Sequence, residues 1–327
     1  MSGRVAFVVI GRNEGERLRP ALEALLTQSR KVIYVDSAST DRSAELARKL
    51  GTITIVLGED EPLSAALGRN TGFAEARRRF PECEFVQFID GDCVIADAWI
   101  DKAVAFMDSA PRAAVACGRR TEAHPEASLY NRLIDEEWDT PVGRSLYSGG
   151  DSLVRVSAFE QVGGFRSELR AGEEPEMTTR LRTAGWEVWR LDAPMTTHDA
   201  RMLRFDQWWQ RSVRGGYGYA QVWTMTRRNP ESVFGPQLRS AIFWALSLPL
   251  LVCLAAILLR EPLVLLLLPT AWFAQIARIA ARRGFSPRAW LSAAMLLLAK
   301  LPETVGVLNY FRGQRADRLT DYKATAK

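Results

Sequence analysis

The chain has 327 residues, and its 43 lysines and arginines exceed its 38 acidic residues, which gives a formal net charge of +5. This length exceeds the usual size of one domain, and the last third differs in composition from the rest, which predicts one large domain followed by an appendage. The basic residues are dispersed or flank apolar stretches and form no basic and aromatic stripe, so nucleic acid is excluded as a partner.

The cysteines and the amino terminus indicate the compartment. No two cysteines form a CxxC pair, and one lies in an apolar segment, which argues against a zinc site or a disulfide framework and favours a reducing environment. The first apolar run, Val5–Ile10, is too short for a signal peptide and is followed at once by Arg12 and Glu14. We therefore expect the amino-terminal domain to be cytoplasmic.

The first ninety residues alternate short apolar runs with segments of helical periodicity. Continuous apolar runs are typical of strands that are buried on both faces. The predicted strands are Val5–Ile10, Lys31–Val35, Thr52–Leu57 and Phe85–Ile89. The first is followed by leucines at helical spacing from Leu18 to Leu26, and the next two by the predicted helices Asp41–Leu50 and Ser64–Arg79. This alternation predicts an α/β fold with a mostly parallel central sheet, in which ligands bind beyond the carboxyl ends of the strands.

Polar groups follow the ends of the first two strands. The first strand leads into Gly11-Arg12-Asn13-Glu14, and the second ends at Asp36 before a serine- and threonine-rich turn that closes with Asp41. Each motif also has an ordinary explanation, because acidic and amide side chains are common where helices begin.

The fourth strand ends in two carboxylates, Asp90 and Asp92, separated by Gly91. The glycine permits close approach of a ligand, and carboxylate oxygens are suited to Mg²⁺ or Mn²⁺ carrying a diphosphate. Asp-Gly is also an ordinary turn, so the motif gains its weight from its position after a buried parallel strand.

Three acidic residues, Glu173, Glu174 and Glu176, crowd the start of a predicted helix after Gly172. The helix dipole stabilises carboxylate charge there, but capping does not require three such groups. Their mutual repulsion should raise the pKa of at least one, which suits a general base near neutral pH.

Two carboxyl-terminal segments have the composition of membrane spans. Residues 241–259 and 262–277 contain no charged residue, and we predict spans over about 241–259 and 262–281. Arginines precede the first and follow the second, which places both outer flanks in the cytoplasm by the positive-inside rule. This pattern predicts a multi-pass protein of the inner membrane with its large domain in the cytoplasm.

Two further segments have more than one interpretation. A third apolar stretch, within about 288–310, is interrupted by Lys300, so we favour a helix in the plane of the membrane interface and leave a third span open. The aromatic and basic segment 203–228 either docks on the membrane or recognises an acceptor. We predict domain boundaries of 1–230, which includes that interface helix, and 238–327 for the membrane region.

Together these motifs resemble the family 2 inverting glycosyltransferases of the membrane-anchored bacterial type, whose catalytic domain has the GT-A nucleotide-sugar fold. The resemblance spans Val5 to about Asp199 and depends on the order of the motifs, each of which is common alone. They are Gly11-Arg-Asn-Glu14, Val35-Asp-Ser-Ala-Ser-Thr-Asp41, Gly68-Arg-Asn-Thr-Gly72, Asp90-Gly-Asp92, Val162-Gly-Gly-Phe165, Glu173-Glu-Pro-Glu-Met177 with Arg180, and His198.

The resemblance implies a role for each matching residue. It implies Asp92 and His198 as ligands of Mg²⁺ or Mn²⁺, and Glu174 as the catalytic base. The family usually has aspartate at the position of Glu174, so Glu173 is the alternative base. Residues that would bind the nucleotide sugar are Asn13, Glu14, Asp36, Arg69, Asp90, Gly91, Gly149 and Gly150.

The implied activity is a metal-dependent, inverting transfer of a hexosyl type. The sugar would pass from a nucleotide-diphosphate donor to a hydroxyl of a lipid or lipid-linked acceptor, in cell-envelope or exopolysaccharide synthesis. Gln207 and Arg211 are present without the full Gln-x-x-Arg-Trp motif of processive synthases, which favours transfer of a single sugar. A non-catalytic nucleotide-sugar binding protein and a nucleotidyltransferase are the alternatives, and a homo-oligomer is compatible with the sequence.

Overall fold

The structure is a computed structural model that describes residues 2–58, 63–169 and 171–313. These residues form two compact units, one ending at Leu203 but including Arg228–Val233, the other comprising Arg204–Arg227 and the residues from Phe234 onward. The strands of the first unit are β1 Val5–Gly11, β2 Val32–Asp36, β3 Ile53–Val56, β4 Phe85–Asp90, β5 Cys93–Ile95, β6 Ala113–Glu122, β7 Gly143–Arg144, β8 Ser152–Arg155 and β9 Glu187–His198. Its helices are α1 Leu18–Gln28, α2 Ser43–Lys49, α3 Ala65–Arg79, α4 Trp99–Ser109, α5 Leu129–Trp138, α6 Val156–Gln161 and α7 Glu173–Thr183.

The nine strands of the described residues form one sheet in the order β3-β2-β1-β4-β8-β6-β9-β5, with β7 paired to β9. The strands predicted from the sequence, β1 to β4, are all parallel, as expected. Beyond β4 the sheet is mixed, because β8 runs antiparallel to both of its neighbours whereas β6 and β9 are parallel. The predicted α/β fold with a largely parallel sheet is confirmed.

Both faces of the sheet are covered, which explains the continuous apolar runs. Phe7 and Val9 of β1 pack in one core with α1 and α4, while Val8 and Ile10 pack in another with α3, α6 and α7. The predicted boundaries of the strands and helices in the first ninety residues lie within two residues of those observed. Ser64 is the N-cap of α3 and accepts a hydrogen bond from the Leu67 amide at 3.1 Å.

The register of the parallel strands brings the polar motifs to one edge of the sheet. Gly11 is paired with Asp36 across β1 and β2, and Ile10 is paired with Asp90 across β1 and β4. Because parallel strands end at the same edge, the motifs that follow them lie side by side.

The second unit consists of helices. They are α8 Phe205–Thr226, α9 Gly235–Ile242, α10 Leu248–Leu259, α11 Leu267–Arg282, α12 Pro287–Leu298 and α13 Lys300–Phe311. Three helices here are long and apolar enough to cross a membrane, namely Gly235–Leu259, Pro262–Arg282 and Pro287–Phe311. The first two include the spans predicted from the sequence.

The third apolar helix matches the predicted helix of about 288–310. Pro287–Phe311 is 25 residues long and comprises α12 and α13, and the Lys300 ammonium group lies 2.6 Å from the carboxylate of Glu303 one turn later. The most apolar part of this helix is 44% buried within the protein, against 6% for each of the other two helices.

Helix α8 packs on α13 at very short range. A Cβ atom added to Gly216 would overlap the carbonyl group of Glu303, and one added to Gly306 would overlap the carbonyl oxygen of Val213. Only glycine permits this approach of two helix backbones. The compact unit that contains α8 also contains the carboxyl-terminal helices.

Candidate active site

The β1–α1 and β2–α2 loops are joined by hydrogen bonds around Asn13. Asn13 has φ of 55°, the left-handed conformation that asparagine tolerates better than most residues. Its amide donates to the Ser39 hydroxyl at 2.9 Å, and its side-chain oxygen accepts from the Thr40 amide at 2.8 Å. Asn13 therefore fixes the shape of both loops at the edge where Asp36 lies.

Two predicted donor-binding carboxylates are buried beside these loops. Asp36 accepts hydrogen bonds from the Tyr34 hydroxyl at 3.0 Å and the Ser39 amide at 2.8 Å. Glu14 forms an ion pair of 2.9 Å with Arg17. Gly91 packs so closely that an added Cβ would lie 3.1 Å from both the Glu14 side chain and the backbone of β1.

Arg69, on α3, joins Asp90 to the acidic helix α7. Asp90 is the first aspartate of Asp90-Gly-Asp92, the DxD motif. Its buried guanidinium lies 2.9 Å from Asp90, 2.5 Å from Glu173 and 3.6 Å from Glu174. Gly150 lies against the same groups, since an added Cβ would be 2.7 Å from the Arg69 guanidinium and 3.0 Å from the Asp90 carboxylate. Five predicted site residues from four separate parts of the sequence are thus brought together here.

Gly149 differs from its neighbour. It is exposed, has φ of +82°, and would have nothing within 4 Å of an added Cβ. Its role in the described structure is to permit the turn that carries Gly150 into the site.

A second buried arginine, Arg120 near the end of β6, contacts the other side of Asp90. Its guanidinium lies 3.2 Å from Asp90 and 3.6 Å from Asp151. Asp151 in turn accepts hydrogen bonds from the Asp90 amide at 3.0 Å and from the Thr196 hydroxyl at 2.7 Å. Arg120 and Asp151 therefore hold both the side chain and the backbone of Asp90.

The second aspartate of the motif faces His198, at the end of β9. The Asp92 carboxylate lies 3.4 Å from Nε2 of His198, because β5 and β9 pair Cys93 directly with His198. The Nδ1 atom of His198 is buried, makes no hydrogen bond within the described part of the chain, and lies 3.7 Å from Glu122.

These donors fit a divalent ion. An ion bound at Nε2 leaves the proton on Nδ1, where it would point to the Glu122 carboxylate, and this carboxylate–histidine–metal arrangement is common in metalloproteins. The donor set of one carboxylate and one imidazole suits Mn²⁺ better than Mg²⁺, which prefers oxygen ligands, and the Cys93 thiol lies within 4.8 Å of both ligand atoms.

The electrostatics of the site separate two kinds of carboxylate. Burial and the neighbouring charge of Glu173 raise the pKa of Glu174 to about 7, against a smaller lowering by Arg69. Burial would also raise the pKa of Asp90, but Arg69 and Arg120 more than offset it and lower that pKa below its usual value. At neutral pH Asp90 is ionised, whereas Glu174 is poised to take up or release a proton.

Glu176 has a structural function in this helix. Its carboxylate forms an ion pair of 2.7 Å with Arg180, one turn later. Arg180 also donates to the carbonyl oxygens of Val162 and Gly164, which connects α7 to the loop Val162-Gly-Gly-Phe165.

A cleft of about 560 Å³ opens beside Asp92. The residues that line this cleft include Glu14, Arg17, Thr197 and Asp199. Cavities of this size commonly hold small ligands in proteins, and a predicted metal ligand here lines it.

Sequence reasoning missed four residues of the site, namely Arg120, Asp151, Glu122 and Trp138. Only Arg120 follows the pattern of the residues that it identified. Arg119-Arg120 comes after the apolar run Ala113–Cys117, and Asp151 directly precedes β8. The rule that selected Asp36 and Asp90, a polar group at the end of an apolar strand, would have selected Arg120. Glu122 and Trp138 carried no such signal. The Glu122 carboxylate lies 3.7 Å from His198 and the Trp138 ring 4.9 Å from the His198 ring, and this proximity depends on how β6, β9 and α5 pack.

A largely parallel α/β sheet with acidic side chains at its carboxyl edge is the arrangement expected of the GT-A fold. The model of the family described as Glycosyl transferase family 2 matches residues 6–206, more than half of the chain. The chain belongs to this family and is a glycosyltransferase.

Named relatives are similar to this chain over much of its length. It is 26% identical over 243 residues to Glycosyltransferase AglE of Haloferax volcanii, covering 70% of this chain and 77% of that protein. It is 28% identical over 216 residues to the succinoglycan biosynthesis protein ExoA of Rhizobium meliloti, covering 62% of each. By its name, the second of these relatives acts in succinoglycan biosynthesis.

A solved structure has the same fold. The mannosyltransferase PcManGT from Pyrobaculum calidifontis, in complex with GDP-Man and Mn²⁺, superposes with a TM-score of 0.62 at 18% identity, covering 95% of this chain and 88% of that one. The similarity confirms the predicted GT-A fold.

Proposed function

We propose that this glycosyltransferase is metal-dependent and inverting, and moves a sugar from a nucleotide-diphosphate donor to a hydroxyl of a lipid or lipid-linked acceptor. The observation that carries the proposal is the position of Glu174. It is a mostly buried carboxylate with a pKa of about 7, joined through Arg69 to the DxD motif. A binding protein needs no base of this kind at its ligand.

In this mechanism the ionised Glu174 accepts the proton of the acceptor hydroxyl. The acceptor oxygen attacks the anomeric carbon from the face opposite the diphosphate, and the bonding electrons of the broken C–O bond leave with the nucleoside diphosphate. A single displacement inverts the anomeric configuration. A divalent ion held by Asp92 and His198 would stabilise the negative charge of the departing diphosphate.

The remaining site residues would orient the donor. Asn13, Glu14 and Asp36 line the edge where the nucleoside would lie. Arg69 would lie near the base or diphosphate, and Asp90 would contact the ribose or the metal. Gly91 and Gly150 let the backbone run close to two of these residues, because an added Cβ would lie 3.1 Å from the Glu14 side chain at position 91 and 2.7 Å from the Arg69 guanidinium at position 150. The Mn²⁺ and GDP-Man of PcManGT support a metal and a nucleotide sugar here by fold similarity.

The acceptor and the location follow from the helical unit. We propose that residues 238–327 form the membrane region of a multi-pass inner-membrane protein, with residues 1–230 as the cytoplasmic catalytic part. Two apolar helices that are only 6% buried support membrane contact, whereas the partly buried third helix suits the interface better. An acceptor carried by a lipid would reach such an enzyme from the bilayer.

A panel of UDP- and GDP-sugars, offered with Mn²⁺, with Mg²⁺ or with a chelator, tests the proposal. We expect one donor to be consumed only with metal present, with an acceptor lipid from the same membranes becoming glycosylated. The anomeric configuration of the product, measured by NMR, should be inverted. Donor binding without turnover would support the binding protein instead, and formation of a nucleotide sugar from a sugar phosphate would support a nucleotidyltransferase.

A further inference from the structure

A second group of potential metal ligands lies directly beside the first. One oxygen each of Asp90 and Asp151 and the sulfur of Cys93 lie within 4.8 Å of one another. The cluster is separate from the pair of Asp92 and His198, although Cys93 borders both. Two carboxylates and a thiol at this spacing have the composition of a cation site.

The guanidinium of Arg120 already contacts all three ligands. It lies 3.2 Å from the Asp90 carboxylate, 3.1 Å from the Cys93 sulfur and 3.6 Å from the Asp151 carboxylate. A positive group from the protein therefore occupies the place where a bound cation would be held.

Two features keep Arg120 in this position. The guanidinium carbon of Arg120 lies over the Trp138 ring, 4.6 Å from the ring centroid, which is a distance typical of a cation–π contact. In the sheet, Arg120 is paired with Thr196, whose hydroxyl donates to Asp151. An arginine stays charged at every pH at which the protein is folded, so the cluster holds a permanent cation.

We propose that Arg120 is a built-in cation that takes the place of a second metal ion, and that its removal turns Asp90, Cys93 and Asp151 into a divalent-cation site. In the native protein the arginine repels any divalent ion that approaches Asp90, so Asp92 and His198 hold the single ion of the centre. That single ion is part of the proposed function, whereas the gain of an ion on removing Arg120 is independent of it.

The test is the number of Mn²⁺ ions bound per chain, measured on the full-length protein in detergent by equilibrium dialysis with electron paramagnetic resonance of the free ion. We expect Arg120→Ala to bind one ion more than the wild type. Arg119→Ala is the matched control, because Arg119 is the adjacent residue and pairs instead with Asp135 at 3.0 Å, so its stoichiometry should equal that of the wild type.

The double variant Arg120→Ala with Asp151→Asn should lose the additional ion, which assigns that ion to this cluster. A folded Arg120→Ala protein with the wild-type stoichiometry would overturn the proposal. A wild type without bound ions, beside a variant with one, would reject the proposed metal at Asp92 while supporting the role of Arg120.

A further measurement does not require the arginine variant to fold. If Arg120 fills the cluster, Asp151→Asn alone should leave both the number of Mn²⁺ ions and their dissociation constant within about twofold of the wild type. A loss of one ion, or a tenfold weaker constant, would show that Asp151 ligates metal in the native protein and would overturn the proposal.

Discussion

The guanidinium of Arg69, on the helix that follows the third strand, lies 2.5 Å from the carboxylate of Glu173, on a helix that begins about one hundred residues further along the chain. Both side chains are buried. The same guanidinium contacts Asp90, so one arginine links the strand that carries the DxD motif to the helix that carries the base. The relative position of these two elements depends on this link.

Replacing Arg69 by methionine should strongly destabilise the first unit. Breaking a buried ion pair leaves an uncompensated charge, at a cost of about 3–5 kcal/mol. Thermal denaturation of the variant measures this loss. Arg79→Met, on the exposed side of the same helix, should change the free energy of unfolding by less than about 1 kcal/mol. Equal effects of the two changes would show that Arg69 does not hold these elements together.

Glu174→Gln should lower the rate of sugar transfer by about 10²–10⁴-fold, because the amide cannot accept the proton of the acceptor hydroxyl. Single-turnover measurements with a bound donor isolate this step, and donor affinity should change little. Glu174→Asp restores the residue that is usual in the family and should retain measurable activity. Glu168→Gln, an exposed carboxylate on the preceding loop, serves as the control. Full activity of Glu174→Gln would shift the assignment to Glu173.

The rate of the chemical step should rise with pH and level off above a midpoint near 7. The reason is that burial and the charge of Glu173 hold the pKa of Glu174 at about 7, and only the ionised form is a base. This rising limb should be absent in the residual activity of Glu174→Gln. A midpoint near 4.5 would indicate that the carboxylate is solvated during the reaction.

The same pKa has a consequence for stability. Because Glu174 holds a proton in the folded state up to about pH 7, but in the unfolded state only up to about 4.5, the free energy of unfolding should fall as pH rises through this window. Glu174→Gln lacks this fall and should exceed the wild type in stability at pH 8, by on the order of 1–3 kcal/mol. Denaturant unfolding at pH 4.5 and pH 8 compares the two proteins.

Removing a ligand of the divalent ion should weaken its binding. We expect His198→Ala and Asp92→Asn each to raise the dissociation constant of Mn²⁺ by more than about tenfold, and Glu122→Gln to raise it by about 10–100-fold through loss of the support at Nδ1. The chain has two histidines, and His124 is exposed, so His124→Ala is a matched control. Unchanged binding in His198→Ala would place the ion elsewhere.

The parallel half of the fold was accessible from the sequence because its signals are local. β1, β2 and β4 are buried on both faces, so each is a predominantly apolar run, and the polar residues at their ends, such as Asp36 and Asp90, identify the edge predicted to bind ligands. β8 lacks this pattern. Ser152–Arg155 has only four residues, and its neighbours are decided by tertiary packing, so this strand could not be predicted from local signals.

The site was predicted where single residues or short motifs carried the chemistry. His198 and Glu174 were identified through their place in an ordered series of motifs. The contacts of Arg69 with Glu173 and of Arg120 with Asp151 were not, because each joins positions that are distant in sequence. Arg69 was expected to contact the donor. The structure shows in addition that its guanidinium lies between the carboxylates of Asp90 and Glu173, which the motif did not reveal.

Alanine at Gly216 should destabilise the helical unit. The added methyl group would overlap the backbone at Glu303, and such overpacking costs about 1–3 kcal/mol. The adjacent Gly215 has nothing within 4 Å of an added Cβ, so Gly215→Ala should instead stabilise α8 by about 0.5–1 kcal/mol. Thermal unfolding in detergent compares the two, and opposite signs are expected.

The crossing of α8 and α13 restricts how these helices can diverge during evolution. A bulky residue in a protein core can usually be accommodated when a neighbour becomes smaller. At Gly216 and Gly306 each glycine faces main-chain atoms, and no amino acid is smaller, so neither position can compensate for a change in the other. Descendants of this protein should therefore keep both glycines, or separate the two helices and lose both together.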